Sequence, residues 1–186
     1  MQKKERYTII ITGSTGKLGQ AIAERLLERV PATQFGVSVR NPEKARSLSE
    51  RGVRVRQGDF EDAKGLYHAF EGASQVLIVS SDSSGDVAMH HHRNAIDAAK
   101  AVGARRVLYT SHMGSNAASS FQPMRDHAAT EAILQNSGVG FTSLRNGFYA
   151  ASGLQLMGRA LETGKSPHRQ TAPSPGPPTP TWPTRL

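Results

Sequence analysis

A chain of 186 residues, 37% of them hydrophobic, is long enough to bury one substantial core. It contains no cysteine, which excludes disulfides, cysteine-ligated zinc and a thiol nucleophile. The net charge of +8 is uneven: residues 165–186 hold three bases and no acid, residues 1–164 carry +5, and no basic stripe is interleaved with aromatics, so nucleic acid is not expected as a partner.

Tyr7–Thr12 is an apolar run of strand length, and Lys17–Arg29 sets Leu18, Ile22 and Leu26 on one helical face. Between them residues 12–19 read T-G-S-T-G-K-L-G. A glycine turn joining a buried strand to a helix brings backbone N–H groups up to a pyrophosphate. Gly13 would make the tight turn, Gly16 would let the backbone approach the ligand, and Gly19 would let the helix pack on the strand. The spacing GxxGxxG is one residue longer than the usual GxGxxG, so the flanking elements carry the expectation of a dinucleotide.

Gln34–Val39 reads as a second strand, followed by Asn41–Arg51 as a helix with Asn41 as N-cap and Pro42 in the first helical position. Arg40 ends that strand, twenty-one residues after Gly19, where such folds meet the adenosine ribose. An acidic residue there would accept from the 2′-OH and select NAD. Arginine pairs instead with a 2′-phosphate and favours NADP, the alternative being a solvated arginine ahead of a helix. Val53–Gln57 is a short strand, and Asp59 after it suits the adenine edge, a cap for the helix Asp62–Glu71, or both.

Gln75–Ser80 is a buried strand ending in Ser80 and Ser81 on the carboxyl edge, where ligands of such sheets bind. Short hydroxyls there suit the nicotinamide ribose, although serines commonly end strands. A helix over about Val87–Val102 stops at Gly103. It contains His90-His91-His92, but adjacent helical residues point about 100° apart, so the three imidazoles do not converge and no metal is expected. Arg106–Thr110 is the next strand, Met124–Asn136 the next helix and Phe141–Leu144 the sixth strand. Ser111 is a hydroxyl positioned to meet substrate. His127 and Glu131 stand four apart on one helical face, which suits either a proton donor with its carboxylate or an ordinary surface pair. The alternation of strands and helices predicts an α/β fold, a doubly wound parallel sheet with helices on both faces.

Composition changes at Lys165: Ser166–Leu186 holds seven prolines in twenty-one residues and shows no periodicity. Residues 1–164 are expected to form the dinucleotide-binding domain. Residues 165–186 read as a proline-rich disordered tail or as sequence translated out of frame. No apolar run approaches the ~20 residues that span a bilayer, and the basic start leads directly into a strand. Neither a membrane partner nor a secretory signal is expected, and the cytoplasm is the default compartment.

The runs T-G-S-T-G-K-L-G, V-R-N-P-E-K-A, V-R-Q-G-D, H-R-N-A-I-D-A-A-K-A-V-G and L-R-N-G-F-Y follow in order over residues 7–164. Together they resemble an atypical short-chain dehydrogenase/reductase of the NmrA-like branch, nearest to its NADPH:quinone oxidoreductases. The resemblance implies a Rossmann fold that binds NADP(H) through Gly13, Ser14, Thr15, Gly16, Lys17, Leu18 and Arg40. It also implies a nicotinamide end lined by Asn146, Gly147, Phe148 and Tyr149. The implied reaction is hydride transfer from NADPH to a small quinone-type acceptor, for which the protein supplies position and electrostatics. Tyr149 or His127 would then orient the acceptor or supply a proton.

Two departures narrow the inference. Short-chain dehydrogenases generally carry Tyr-x-x-x-Lys after the fifth strand, and here the position reads His127-Ala-Ala-Thr-Glu131, so tyrosine-based alcohol chemistry is not implied. Relatives of this kind also continue into a small carboxyl-terminal domain that closes the substrate pocket, so the chain reads as truncated. Two further readings stay open: an NADP(H)-sensing regulator without turnover, and an inactive fragment whose exposed apolar surface favours self-association. A homodimer is left open as well.

Overall fold

Ile9–Thr12 and Phe35–Val39 are buried at nearly every position, and such two-sided burial selects a near-continuous apolar run in the centre of a parallel sheet. In this computed structural model, which describes residues 9–150 with Gly158 and Gly164, they are β1 and β2. The other strands are β3 (Arg54–Gln57), β4 (Gln75–Ile78), β5 (Arg106–His112) and β6 (Gly140–Asn146). The helices are α1 (Lys17–Leu27), α2 (Arg46–Glu50), α3 (Ala63–Phe70), α4 (Gly85–Ala101) and α5 (Gln122–Asn136). All neighbouring strands pair parallel in the order β3-β2-β1-β4-β5-β6. The order reverses between β1 and β4, which opens a crevice at their carboxyl ends. The doubly wound α/β sheet expected from the sequence is therefore the observed one.

Each face of the sheet carries its own apolar layer. Ile11, Val37 and Leu77 pack with Ala23 of α1 and Leu48 of α2. Ile10, Val76, Ile78, Val107 and Tyr109 pack with Leu66 and Phe70 of α3, Ala95, Ile96 and Ala99 of α4, and Leu134 of α5. A fully buried side chain such as Phe70 contributes about 1.5–3 kcal/mol. The alanines of α4 let its backbone settle close to the sheet.

Element ends differ from expectation in informative ways. Asn41 does act as a cap, its Oδ1 accepting from the Glu43 N–H at 3.0 Å, but the turn it caps is a 3-10 segment, Pro42–Ala45, ahead of a short α2. β5 and β6 run on to His112 and Asn146 because they remain in register along their whole length, with Ser111 opposite Arg145. Tyr7 and residues 165–186 lie outside the described residues. The chain divides between Gly147 and Phe148 into two units, and the sheet belongs to the first. Among the described residues no helix is long and apolar enough to cross a membrane.

Candidate functional site

The turn after β1 is shaped by its glycines. Gly13 has φ +64°, a left-handed conformation that side chains rarely adopt. A Cβ on Gly19 would stand 2.3 Å from the Gly13 carbonyl oxygen, so α1 packs on the turn only because that atom is missing. The Gly16 N–H donates to the same oxygen at 3.0 Å, and the buried Ser14 hydroxyl donates to the Ile11 carbonyl at 3.4 Å. Thr15, Gly16 and Lys17 are exposed, and Leu18 is half-buried. Gly16 is the N-cap of α1 and offers no side-chain acceptor, and the first turn holds no acidic residue. The first N–H groups and the positive end of the helix are thus presented to an anion.

The carboxyl end of β4 is fastened by side chains from three other elements. Thr12 Oγ1 accepts the Val79 N–H at 2.9 Å, Thr110 Oγ1 the Ser80 N–H at 2.9 Å, and His92 Nε2 the Ser81 N–H at 3.0 Å. Thr110 also donates to Ser80 Oγ at 3.3 Å. Ser81 Oγ is buried and has no hydrogen-bond partner among the described residues.

His92 is only 2% exposed. Its Nδ1 lies 2.8 Å from Thr130 Oγ1, whose own proton goes to the Asp126 carbonyl at 2.9 Å, so the imidazole carries its proton on Nδ1. Burial foremost, then His127 and His91, pushes its pKa down from 6.5 to about 4. Acidification from pH 7 to 4 is therefore expected to destabilise the fold. The unfolded histidine takes up its proton near 6.5 and the folded one only near 4, so the unfolded state binds more protons throughout that window. The loss from this group approaches on the order of 3 kcal/mol and levels off below it. Urea unfolding at pH 7 and pH 4.5 measures the effect, and His92→Gln should flatten it.

On the adenosine side, Arg40 directly follows β2, is exposed and forms no ion pair with another described residue. Asp59 follows the neighbouring β3. The cap of α3 is not Asp59 but Asp62, whose Oδ1 accepts the Lys64 N–H at 3.1 Å. Asp59 stands three residues too early, and its Oδ1 closes a local turn by accepting the Glu61 N–H at 3.1 Å.

The His127–Glu131 pair gives way to separate partners across elements. His127 Nδ1 lies 2.8 Å from the hydroxyl of buried Tyr109, and its ring stacks with His112 at 6.2 Å. Burial, then His112, holds His127 below its usual pKa. Glu131, 7% exposed, accepts from Ser111 Oγ at 2.7 Å and binds Arg145 through two bonds of 3.0 and 2.6 Å. Arg145 foremost holds its carboxyl below the usual range. Ser111 is buried and donates its hydroxyl to that carboxylate. Asn146 ends β6, and its carbonyl accepts the Met113 N–H at 2.8 Å. A Cβ on Gly147 would stand 3.4 Å from the Met113 sulfur. Phe148 and Tyr149 belong to the second unit and are exposed.

Thr12, Thr110, Tyr109 and Arg145 carry no local sequence signal for these roles, and His92 stands in the sequence as one of three adjacent imidazoles. The spacing Ala88, His92, Ala95, Ile96, Ala99 signals its inward face. The site fits a dinucleotide: the helix terminus is uncapped, Gly16 brings its backbone to the turn without a side chain, and an orphan hydroxyl sits at the switch point.

Fold and site together define a doubly wound nucleotide-binding protein. The chain belongs to the NAD(P)H-binding family, whose model matches residues 13–172. It is 42% identical over 156 residues to quinone oxidoreductase 2 of Escherichia coli K12, covering 84% of this chain and 54% of that protein. It is 33% identical over 145 residues to the NmrA-like family domain-containing oxidoreductase flvB of Aspergillus flavus, covering 75% and 47%. The crystal structure of the Escherichia coli NADPH-dependent quinone oxidoreductase QOR2 with NADPH superposes with a TM-score of 0.78 at 41% identity, covering 84% of this chain and 55% of that one. The chain thus spans about half the length of the curated relatives it matches.

Proposed function

We propose that the chain binds NADPH across the carboxyl edge of its sheet, as part of a reductase that passes hydride to a quinone-type acceptor. The reading rests on the uncapped N-terminus of α1 behind the glycine turn, with Arg40 exposed at the end of the adjoining strand. Residues Gly13–Leu18 lie under the phosphates, and Arg40 takes the 2′-phosphate. Asp59 borders the adenine, Ser80 and Ser81 the nicotinamide ribose, and Asn146 and Gly147 the nicotinamide. Roles for Phe148 and Tyr149 beside nicotinamide and acceptor rest on the family resemblance alone.

When bound, NADPH supplies the hydride, and a quinone that accepts it takes one proton to become a hydroquinone. His127 is neutral at pH 7, since burial holds its pKa below the usual value. A neutral imidazole is a poor acid, so His127 orients the acceptor and the proton comes from solvent. Met113, 69% exposed after β5, offers a polarizable thioether to a flat conjugated ring. The quinone reductases among its relatives support that acceptor class.

Fluorescence titration with NADPH and NADH tests the cofactor reading. Arg40→Ala is expected to weaken NADPH about ten- to a hundred-fold, towards the NADH level, and to leave NADH unchanged. An equal loss for both would remove Arg40 from the 2′-phosphate. Quinone added to the NADPH complex should oxidise it, and NADPH held without oxidation would favour the sensor.

A further inference from the structure

Where β4 ends, three consecutive backbone N–H groups pass not to a neighbouring strand but to side chains. Thr12 of β1 holds Val79, Thr110 of β5 holds Ser80, and His92 of α4 holds Ser81. Two of these acceptors stand on strands beside β4. The third reaches in from the helix layer, and it alone aims a ring nitrogen. We propose that His92 is a positioning residue for the dinucleotide, its Nε2 lone pair fixing Ser81 so that the Ser80–Ser81 edge forms a ready wall for the nicotinamide ribose. This rests on the cofactor reading above.

The arrangement around His92 leaves Nε2 one role. Nδ1–H is spent on Thr130, and Thr130 is anchored to the Asp126 carbonyl one turn earlier on α5. The ring is locked edge-on against Tyr109 of β5 at 5.3 Å and against Phe60 at 6.4 Å, so it cannot swing away from Ser81. Asp126 in turn accepts the Gly85 N–H at 2.9 Å, which ties the start of α4 to α5 just past the same segment. Charged or titratable neighbours are His91 on its own helix, Tyr109 on β5, and Asp126 and His127 on α5. The wall is therefore set before any ligand arrives, which lowers the ordering cost of binding.

The test compares His92→Phe, which keeps a ring but has no acceptor, with His92→Gln, whose amide oxygen reaches about as far as Nε2. Each is titrated with NADPH, NADH and adenosine 2′,5′-bisphosphate, a probe of the adenosine end alone. His92→Phe should weaken NADPH and NADH alike by about tenfold and leave the bisphosphate unchanged. His92→Gln should restore dinucleotide affinity to near the original value. Amide hydrogen exchange at Ser81 should accelerate in His92→Phe and recover in His92→Gln, with or without ligand. A parallel loss of the bisphosphate, unchanged dinucleotide binding in His92→Phe, or no recovery in His92→Gln would each overturn the positioning role. NADPH that fails to bind the unsubstituted chain would overturn the cofactor reading, and this role with it.

Discussion

Gly19→Ala is expected to abolish dinucleotide binding and to destabilise the fold by about 2 kcal/mol or more. The added methyl would meet the Gly13 carbonyl oxygen at 2.3 Å, its carbon at 2.7 Å and Ser14 Cα at 2.9 Å. All three are backbone atoms of the turn, so no rotamer change relieves the overlap. Either α1 lifts from β1 or the turn opens, and both displace the helix N-terminus from the crevice. Gly16→Ala is the informative contrast. Its φ of −89° and ψ of 164° suit alanine, and its Cβ would stand 3.4 Å from the Gly13 oxygen, an ordinary contact. That methyl should leave stability nearly unchanged yet sit where a phosphate must approach, raising the NADPH Kd at least about tenfold. Urea unfolding and fluorescence titration of the two variants separate the effects. Gly19→Ala binding NADPH normally at full stability would contradict the packing argument, and Gly16→Ala doing so would contradict the phosphate site.

The six strands and the glycine turn were legible because both are written locally. Runs such as Ile9–Thr12 and Gln75–Ile78 announce central strands, and the chain alternates such apolar runs with stretches of period 3.6 as a doubly wound fold must. Partner choice was not legible. His127 and Glu131 do share a helical neighbourhood, but Tyr109, Ser111 and Arg145 compete for them from strands that only folding brings near. A buried carboxylate gains more from a guanidinium and a hydroxyl than from an imidazole that burial keeps neutral. On a smaller scale the cap of α3 was not legible: either aspartate can cap, but Asp59 closes a turn on the Glu61 N–H and Asp62 takes the cap. The brace at the end of β4 had no local signature, since its donors lie at 79–81 and its acceptors at 12, 92 and 110. Only the inward spacing of His92 hinted that one imidazole of three was internal.

Glu131→Gln should reveal how much of the β5–β6 edge depends on one carboxylate. Glu131 joins α5 to β5 through Ser111 and to β6 through Arg145, directly before Asn146. The substitution keeps the shape and removes the charge. A fully buried pair broken this way costs ~3–5 kcal/mol, but the Arg145 side chain is 54% exposed and water rehydrates it, so about 2 kcal/mol is expected. Ser111→Ala should be non-additive with it by about 1 kcal/mol, since it deletes the same 2.7 Å bond that the neutral amide oxygen of Gln accepts more weakly than the carboxylate. The pH dependence separates this group from His92. The folded pKa of Glu131 is depressed, foremost by Arg145, so its stabilisation is present above the usual 4.5 and is lost as pH falls through the folded value. His92 acts earlier, between 6.5 and about 4. Stability measured from pH 7 to pH 3 should therefore fall in two limbs, the upper one flattened by His92→Gln and the lower one by Glu131→Gln. A single limb that both variants leave intact would mean that neither group governs the acid response, and that other carboxylates do.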